Sequence, residues 1–164
     1  MNEPITSFRG DYKFLSNFYE CYVPMTFGKD HIPFEFRNAE AAFQAHKTTN
    51  LADLVIFSNM TGPEAKKFGR KLKLRDDWND IRLQVMTKVL LVKFTINWEL
   101  REMLIATGQR ELIEGNTWGD TFWGVCDGKG ENHLGKILME IREMFIREKF
   151  LYQKFLYQED DYHD

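Results

Sequence analysis

The chain has 164 residues, a length that suits one domain with a substantial core and is short for two. Hydrophobic residues make up 43% of it and aromatic residues 15%, which argues for a packed globular protein and against disorder. The formal net charge of −3 argues against a chain that coats nucleic acid or an anionic membrane, and leaves room only for a local basic pocket.

Targeting and redox signals favour the cytoplasm. We find no signal-peptide pattern and no apolar run long enough to span a bilayer, so we expect no membrane association. Cys21 and Cys126 are too few for a disulfide framework, which fits a reducing compartment. The histidines have no ligand spacing with these cysteines, so no metal site is expected. The sequence therefore predicts one cytoplasmic domain that needs neither metal nor cofactor.

Residues 5–36 predict a small N-terminal β region. Aromatic residues alternate over 8–18, where turn residues interrupt them, and this pattern favours strands and turns. The segments 22–27 and 32–36 flank a glycine-containing connection at 28–30 and predict a hairpin.

Two polar residues, Arg9 and Asn17, stand among the aromatic side chains of this region. Each is either a satisfied polar group of the core or a contact to a ligand. The residues alone favour the first interpretation, because buried polar groups are usually hydrogen-bonded within the protein.

The stretch N-A-E-A-A-F-Q-A-H-K, residues 38–47, predicts a helix that begins after Asn38. The Asn38 side chain is suited to accept a bond from a backbone N–H one turn in, and the alanines that follow favour helix propagation. Glu40, Gln44 and Lys47 share one face, while the other faces are small and apolar. A helix that is apolar nearly all round is usually buried.

This polar stripe has two interpretations. Charged residues are mostly exposed, so the residue types alone favour an ordinary solvated face. The alternative is a pocket lined by an acid, an amide and an amine. In such a pocket burial would tune Glu40 for acid–base work and make the Lys47 amine nucleophilic.

The remainder of the chain is predominantly helical in pattern. The segment 50–59 is predicted to be a short helix or a turn, and helices are predicted at 61–69, 80–94, 99–107 and 134–155. The helix at 80–94 is the clearest, because its apolar residues repeat at helical spacing. The basic run 66–75 is either a solvated surface or part of a pocket mouth that holds an anionic substrate. The acidic end, 158–164, is predicted to be frayed and solvated. The predicted fold class is helix-rich α+β with a long C-terminal helix.

The loop between the last two predicted helices, residues 114–135, is aromatic, acidic and glycine-rich at once. A glycine-rich loop that runs into a helix offers free backbone N–H groups and a positive dipole end, which suits phosphate, and Asn132 is the predicted N-cap. Trp118 and Trp123 are either core residues or a surface on which a heterocycle stacks, with Asp120 between them. From the residue pattern alone, the simpler interpretation is an ordinary loop followed by a capped helix.

Taken in order, these segments resemble the NADAR family, the YbiA-like proteins that include N-glycosidases of riboflavin-biosynthesis intermediates. The resemblance runs from Phe8 to Arg142, and it departs from the family pattern at Ala41, where many members carry a histidine. It implies a single YbiA-like domain over 1–150, followed by a helix end and acidic tail over 151–164. The motifs that carry it are F-L-S-N-F-Y, N-A-E-A-A-F-Q-A-H-K, W-N-D-I-R-L-Q-V-M, L-I-A-T-G, W-G-D-T-F-W-G-V and G-K-G-E-N-H-L-G-K.

The resemblance implies hydrolysis of an N-glycosidic bond at a ribose that carries a phosphate or pyrophosphate. The implied partners are small phosphoribosyl or ADP-ribosyl substrates, from riboflavin intermediates to ADP-ribosylated guanine in nucleic acid. The family's catalytic residues map onto Glu40, Lys47 and Asp120. The candidates for substrate contacts are Arg9, Asn17, Gln44, Trp118, Trp123, Gly124 and Asn132.

Two chemical routes fit these residues. A carboxylate, Glu40 or Asp120, stabilises the positive charge that develops on the sugar and activates water. Alternatively, the uncharged Lys47 amine attacks C1′ and forms a Schiff base with the ring-opened ribose. Two further hypotheses stay open: a module that binds ADP-ribose or a nucleotide without cleaving it, and a terminal helix that serves as a partner or oligomer surface.

Overall fold

The computed structural model describes residues 3–159 and shows a mixed architecture in which helices predominate, as predicted. A 3₁₀ helix, Gly10–Leu15, opens the chain. The strands are Glu20–Phe27 (β1), Ile32–Asn38 (β2), Gly115–Asn116 (β3) and Val125–Cys126 (β4). The α-helices are Ala39–Ala45 (α1), Leu51–Ser58 (α2), Gly62–Gly69 (α3), Trp78–Ile96 (α4), Trp98–Ala106 (α5) and His133–Glu159 (α6). Over the described span, no helix combines the length and apolarity that crossing a bilayer requires.

The predicted hairpin is confirmed. Strands β1 and β2 pair antiparallel, and their register places Val23 opposite Phe36 and Met25 opposite Phe34. Gly28 follows β1 with a φ of +72°, a left-handed conformation that glycine adopts without steric cost. The buried residues Val23, Met25 and Phe36 form the inner face of the hairpin, which packs against helices α1, α2 and α4.

The strand prediction for residues 8–18 is wrong. The chain there turns through the 3₁₀ helix and buries Phe14 and Leu15. Its backbone carbonyls are satisfied by a side chain instead of a neighbouring strand: Lys93 Nζ donates to the carbonyls of Phe14, at 2.7 Å, and Ser16, at 2.9 Å. The alternation of aromatic residues therefore reflects packing of a tight turn, and a buried ammonium on α4 anchors that turn.

Helix α4 is the central element, as its apolar repeat predicted. It packs against β1, α1, α5 and α6, and most of its core residues are fully buried. Helix α6 lies along it with the predicted apolar side inward, and Arg101 and Lys149 form ion pairs with Glu148 and Glu102 between α5 and α6. The described helix continues to Glu159, and residues 160–164 of the predicted tail lie outside the described residues.

The ends of the shorter helices follow their sequence signals. Helix α1 begins as predicted, with the Asn38 side chain accepting the Ala41 N–H at 2.8 Å. In the first turn of α3, the Glu64 carboxylate accepts the backbone N–H of Thr61 at 2.9 Å. Gly108 follows α5 with a φ of +62° and stops that helix.

Replacing Lys93 with methionine is expected to lower the free energy of unfolding by about 2–4 kcal/mol, because the buried Phe14 carbonyl loses its donor and the Ser16 carbonyl keeps only the Tyr19 N–H, at 3.2 Å. Urea unfolding followed by circular dichroism measures this loss. Lys88, which is exposed on the same helix, provides the control, since Lys88→Met should change stability by less than about 0.5 kcal/mol. A Lys93→Met protein as stable as the wild type would show that the turn does not depend on this ammonium.

Candidate active site

A cavity of ≈ 520 Å³ lies where α1, α3, α4 and the loop before α6 meet. Its volume is in the range of small-molecule sites, and both polar and apolar side chains reach it. The lining comes from four parts of the chain: the N-terminal turn (Phe8, Arg9, Ser16, Asn17, Phe18), α1 and its end (Glu40, Phe43, Gln44, Lys47), α3 with its end and α4 (Lys66, Arg70, Trp78, Arg82, Met86), and the last loop with α6 (Glu114, Gly115, Trp118, Asp120, Trp123, Leu134).

Helix α1 places an acid and an amide against this cavity instead of solvent. Glu40 is only 7% exposed and Gln44 only 4%, so the solvated-face interpretation is wrong for these two residues. Gln44 Nε2 donates to Glu40 Oε1 at 2.8 Å. Burial raises the pKa of Glu40 and is the main influence on it, while the Gln44 hydrogen bond and the charges of Lys66 and Lys47 act in the opposite direction.

The Gln44 amide depends on a glycine in the facing helix. A Cβ atom at Gly69, the last residue of α3, would overlap Gln44 Oε1. The absence of a side chain at Gly69 therefore lets α3 approach α1 closely enough to enclose the amide. The glycine that was predicted to end α3 also shapes the cavity wall.

Lys47 follows α1 by less than one turn and is partly buried. Its Nζ lies 5.6 Å from the ring centroid of Trp78 and 6.0 Å from that of Phe43. Burial lowers the pKa of Lys47; nearby Glu40 opposes this, and the cations Lys66 and Arg70 add to it. A lysine with a lowered pKa has more of the uncharged amine that acts as a nucleophile.

Asp120 is held by the loop that carries it. Its Oδ1 accepts the backbone N–H groups of Phe122, at 3.2 Å, and Trp123, at 2.9 Å. The buried Asn116 side chain binds the Asp120 backbone at both its N–H, at 3.0 Å, and its C=O, at 2.7 Å. This closed turn sets the position of the Asp120 carboxylate on the cavity wall.

The two predicted tryptophans have different surroundings. Trp123 packs edge-on against Phe43 of α1, with ring centroids 5.4 Å apart, and so joins the core to the cavity. Trp118 is 53% exposed, and Lys66 Nζ lies 5.7 Å from both its ring and that of Phe18. Trp118 is therefore the tryptophan with a face open to stack on a ligand.

The other predicted contact residues divide into two groups. Arg9, Asn17 and Gln44 line the cavity, and Asn17 is buried with its Nδ2 3.4 Å from Met86 Sδ. Gly124 and Asn132 do not belong to the lining.

Asn132 occupies the predicted N-cap position of α6, where its C=O accepts the Lys136 N–H at 3.0 Å, but its side chain does not cap the helix. It precedes the helix with a φ of +52°, and its side chain binds the preceding loop: Oδ1 accepts the Glu114 N–H at 3.0 Å and Nδ2 donates to the Leu112 carbonyl at 2.9 Å. A Cβ atom at Gly124 would overlap the Glu114 carbonyl oxygen. Both residues therefore fix the backbone of Glu114.

Glu114 is a site residue that sequence reasoning missed. It lines the cavity, and its Oε2 is closed to solvent and has no hydrogen-bond partner among the described residues. Burial raises its pKa to about 7, and the charges of Asp120 and Glu40 act in the same direction against those of Lys66 and Arg9. No local pattern distinguishes this glutamate from the other acids of the loop, so only the fold identifies it.

Three cations complete the lining. Lys66 and Arg70 belong to the basic run whose role the sequence left open, and both reach the cavity. Arg82 comes from α4, where its guanidinium carbon lies 3.8 Å from the ring centroid of Phe122. The helical phase of α4 was the only signal for Arg82. The cavity thus combines carboxyl groups with cations that suit an anionic ligand.

Comparison with known proteins identifies the family. The NADAR domain model matches residues 6–146, and the chain belongs to the NADAR family. The solved structure of Escherichia coli YbiA, determined by NMR, is similar to this one with a TM-score of 0.76 and 32% identity, over 92% of this chain and 89% of that one. The family resemblance and the predicted fold class are therefore confirmed.

Curated relatives match the same region. An N-glycosidase of Nostoc punctiforme is 39% identical over 111 residues, which are 63% of this chain and 70% of the relative. The N-glycosidase YbiA of Shigella boydii is 44% identical over 109 residues, 64% of this chain and 68% of the relative. A riboflavin biosynthesis protein of Vibrio vulnificus is 35% identical over 150 residues, 87% of this chain but 39% of that longer protein.

Replacing Glu114 with glutamine is expected to stabilise the protein at pH 8 and to change it little at pH 4.5. The folded protein raises the pKa of Glu114 from its ordinary 4.5 to about 7, so wild-type stability falls as pH rises through this window, and the neutral amide avoids that loss. The gain at pH 8 should be on the order of 1–3 kcal/mol.

Urea unfolding at several pH values measures the gain, with Glu111→Gln as the control because Glu111 is exposed in the same segment. A Glu114→Gln protein whose stability follows the wild type at every pH would contradict the raised pKa.

Proposed function

We propose that this protein hydrolyses the N-glycosidic bond of a ribosyl-amine substrate whose ribose carries a phosphate, and that an aminopyrimidine intermediate of riboflavin biosynthesis is its substrate. The chain belongs to a family whose relatives are named N-glycosidases, so its reaction class is the hydrolysis of N-glycosyl bonds. The observation that carries the proposal is the meeting of Glu40, Lys47 and Asp120 in one cavity. The relative named for riboflavin biosynthesis supports the choice of substrate.

The carboxyl groups support the bond-breaking step. As the C1′–N bond breaks, positive charge develops on the ribose, and a carboxylate close to C1′ stabilises it. Glu40 and Asp120 enter the cavity from different elements, α1 and the last loop. One carboxylate can therefore face the sugar while the other takes a proton from the attacking water.

Lys47 supports a covalent variant of the same reaction. Its amine attacks C1′, the bond to the base nitrogen breaks, and opening of the ribose ring leaves an imine. Water then hydrolyses the imine, which frees the sugar and returns the lysine. The lowered pKa of Lys47, caused mainly by burial, raises the fraction of uncharged amine that this route needs.

The cations and aromatic rings supply binding. Guanidinium groups bind phosphate through paired hydrogen bonds, and Arg9, Arg70 and Arg82 all line the cavity. A planar base can stack on the open face of Trp118. A phosphoribosyl-pyrimidine combines one anionic end and one flat end, which is the combination that this lining accommodates.

The substrate is tested by incubating purified protein with the phosphoribosyl-aminopyrimidine precursor and, separately, with DNA that carries ADP-ribosylated guanine. Mass spectrometry follows the released base and sugar. Release from the first supports the proposal, and release only from the second would move the activity to ADP-ribosylated guanine. Saturable binding of ADP-ribose without release of any base would instead identify a binding module.

Glu40→Gln is expected to lower kcat on the cleaved substrate by at least about 100-fold, since a neutral amide neither stabilises the cation nor accepts a proton. Lys47→Met should lower kcat similarly if the covalent route operates, and borohydride should then trap a sugar adduct on wild-type protein but not on this variant.

The exposed Lys67→Met serves as the control for folding and charge. Full activity of Glu40→Gln would remove Glu40 from the catalytic set. Full activity of Lys47→Met would exclude the covalent route.

Lys66→Met is expected to raise KM by about tenfold or more and leave kcat within a few-fold, because it removes a cation that binds the substrate in all states of the reaction. Inhibition by ribose 5-phosphate should weaken in parallel. Lys67→Met, which removes the same charge from the next position outside the cavity, should change neither value. An equal rise of KM in both variants would indicate a general effect of charge instead of a phosphate contact.

A further inference from the structure

We propose that Glu114 is the acid that donates a proton to the departing nitrogen, an inference that rests on the proposed hydrolysis. The need for an acid follows from the bond that breaks. The electron pair of the C1′–N bond moves to nitrogen, and an amine leaves readily only if that nitrogen receives a proton. This requirement is the same whether water or the Lys47 amine attacks C1′.

Glu114 has the position that such an acid needs. It lines the same cavity as Glu40 and Asp120, and its Oε2 is closed to bulk water. No described group donates a hydrogen bond to Oε2, so neither water nor protein stabilises a negative charge on that oxygen. This lack of solvation favours the neutral, protonated carboxyl group at the cavity wall.

The surroundings of Glu114 favour its protonated form. The charged groups that act on it are Asp120, Lys66, Arg9 and Glu40. Burial is the largest influence and raises its pKa; the two neighbouring acids act in the same direction and the two cations oppose it, and together they bring the pKa of Glu114 to about 7. At neutral pH a substantial fraction of the protein therefore carries the proton on Glu114, whereas an ordinary glutamate would have lost it.

Asp120 has the hydrogen-bond donors that Glu114 lacks. Its Oδ1 already accepts two backbone N–H groups, from Phe122 and Trp123, which occupy it as an acceptor. Two carboxyl groups in one cavity thus differ in their surroundings, one with donors and one without. Such a difference is how enzymes divide acid and base roles between chemically similar side chains.

The backbone of Glu114 is fixed at both ends. Its N–H is accepted by Asn132 Oδ1 at 3.0 Å, and its C=O accepts the Val125 N–H at 2.9 Å. The absence of a side chain at Gly124 permits this close approach. An acid must keep within hydrogen-bond reach of the nitrogen throughout the reaction, and these contacts limit how far the carboxyl can move.

The proton balance closes over one turnover. The Glu114 O–H proton goes to the leaving nitrogen, and Glu114 becomes a carboxylate. The oxygen of water bonds to C1′, directly or through hydrolysis of the Lys47 imine, and its proton goes to a carboxylate of the cavity. After product release, the carboxylate that took the proton of water gives one proton to solvent and Glu114 takes one up, so both groups return to their starting forms with no net change in protons.

The test is the pH dependence of kcat/KM for release of base from the phosphoribosyl-aminopyrimidine, compared among wild type, Glu114→Gln, Glu114→Asp and Glu111→Gln. Because kcat/KM reports the groups of the free enzyme, the wild-type value should fall on the alkaline side of a midpoint near pH 7. Glu114→Gln should lower kcat by at least about 100-fold and lose that alkaline fall, while KM stays within about threefold. Glu114→Asp should keep the alkaline fall, and Glu111→Gln should match wild type.

The outcomes separate the inference from the function on which it rests. No release of base by wild type would remove the proposed function for this substrate, and the acid role with it. Release by wild type together with an unchanged kcat in Glu114→Gln would overturn the acid role alone. A lowered kcat that keeps the wild-type alkaline fall would also overturn it, because another group would then be titrating. Retained binding of ribose 5-phosphate by Glu114→Gln, measured by calorimetry, establishes that the cavity is intact.

Discussion

The burial of helix α1 is the constraint on which the rest of the structure depends. A seven-residue helix made mostly of alanine contributes little packing volume, so neighbouring helices must come close to cover it. That close approach carries Glu40 and Gln44 out of solvent, because they lie on a helix that has no exposed face. The small residues of α1 and Gly69 of α3 therefore determine both the shape of the cavity and the burial of the polar groups in its wall.

The part of the cavity wall formed by the loop before α6 contains little regular secondary structure. Two very short strands, β3 and β4, and a set of asparagine side chains hold the loop that carries Glu114 and Asp120. Asn116 fastens the Asp120 backbone and Asn132 fastens that of Glu114. An amide side chain can donate and accept at once, so it replaces the paired bonds that a longer sheet would supply.

The sequence predicted those features that depend on local patterns. The hairpin, the helix after Asn38 and the long apolar helix α4 each follow from a period or a cap. The family resemblance led to Glu40, Lys47 and Asp120, all of which line the cavity. Residues 8–18 were mistaken for strands because the donor that satisfies their carbonyls, Lys93, lies far away in the chain. Glu114 was missed for a related reason: its burial is produced by α1 and the loop together, and no single segment encodes it. The basic run 66–75 stayed ambiguous because only Lys66 and Arg70 of its cations turn toward the cavity.

The distribution of tryptophan makes the cavity visible to spectroscopy. The chain has four tryptophans, and Trp78, Trp118 and Trp123 line the cavity, whereas Trp98 is 67% exposed on α5. Most of the intrinsic fluorescence therefore originates beside the ligand space, and Trp98 can be replaced by phenylalanine to remove the remote background. Occupancy by any molecule with an aromatic ring can then be followed by quenching, with no label and no turnover, which opens the protein to ligand screening.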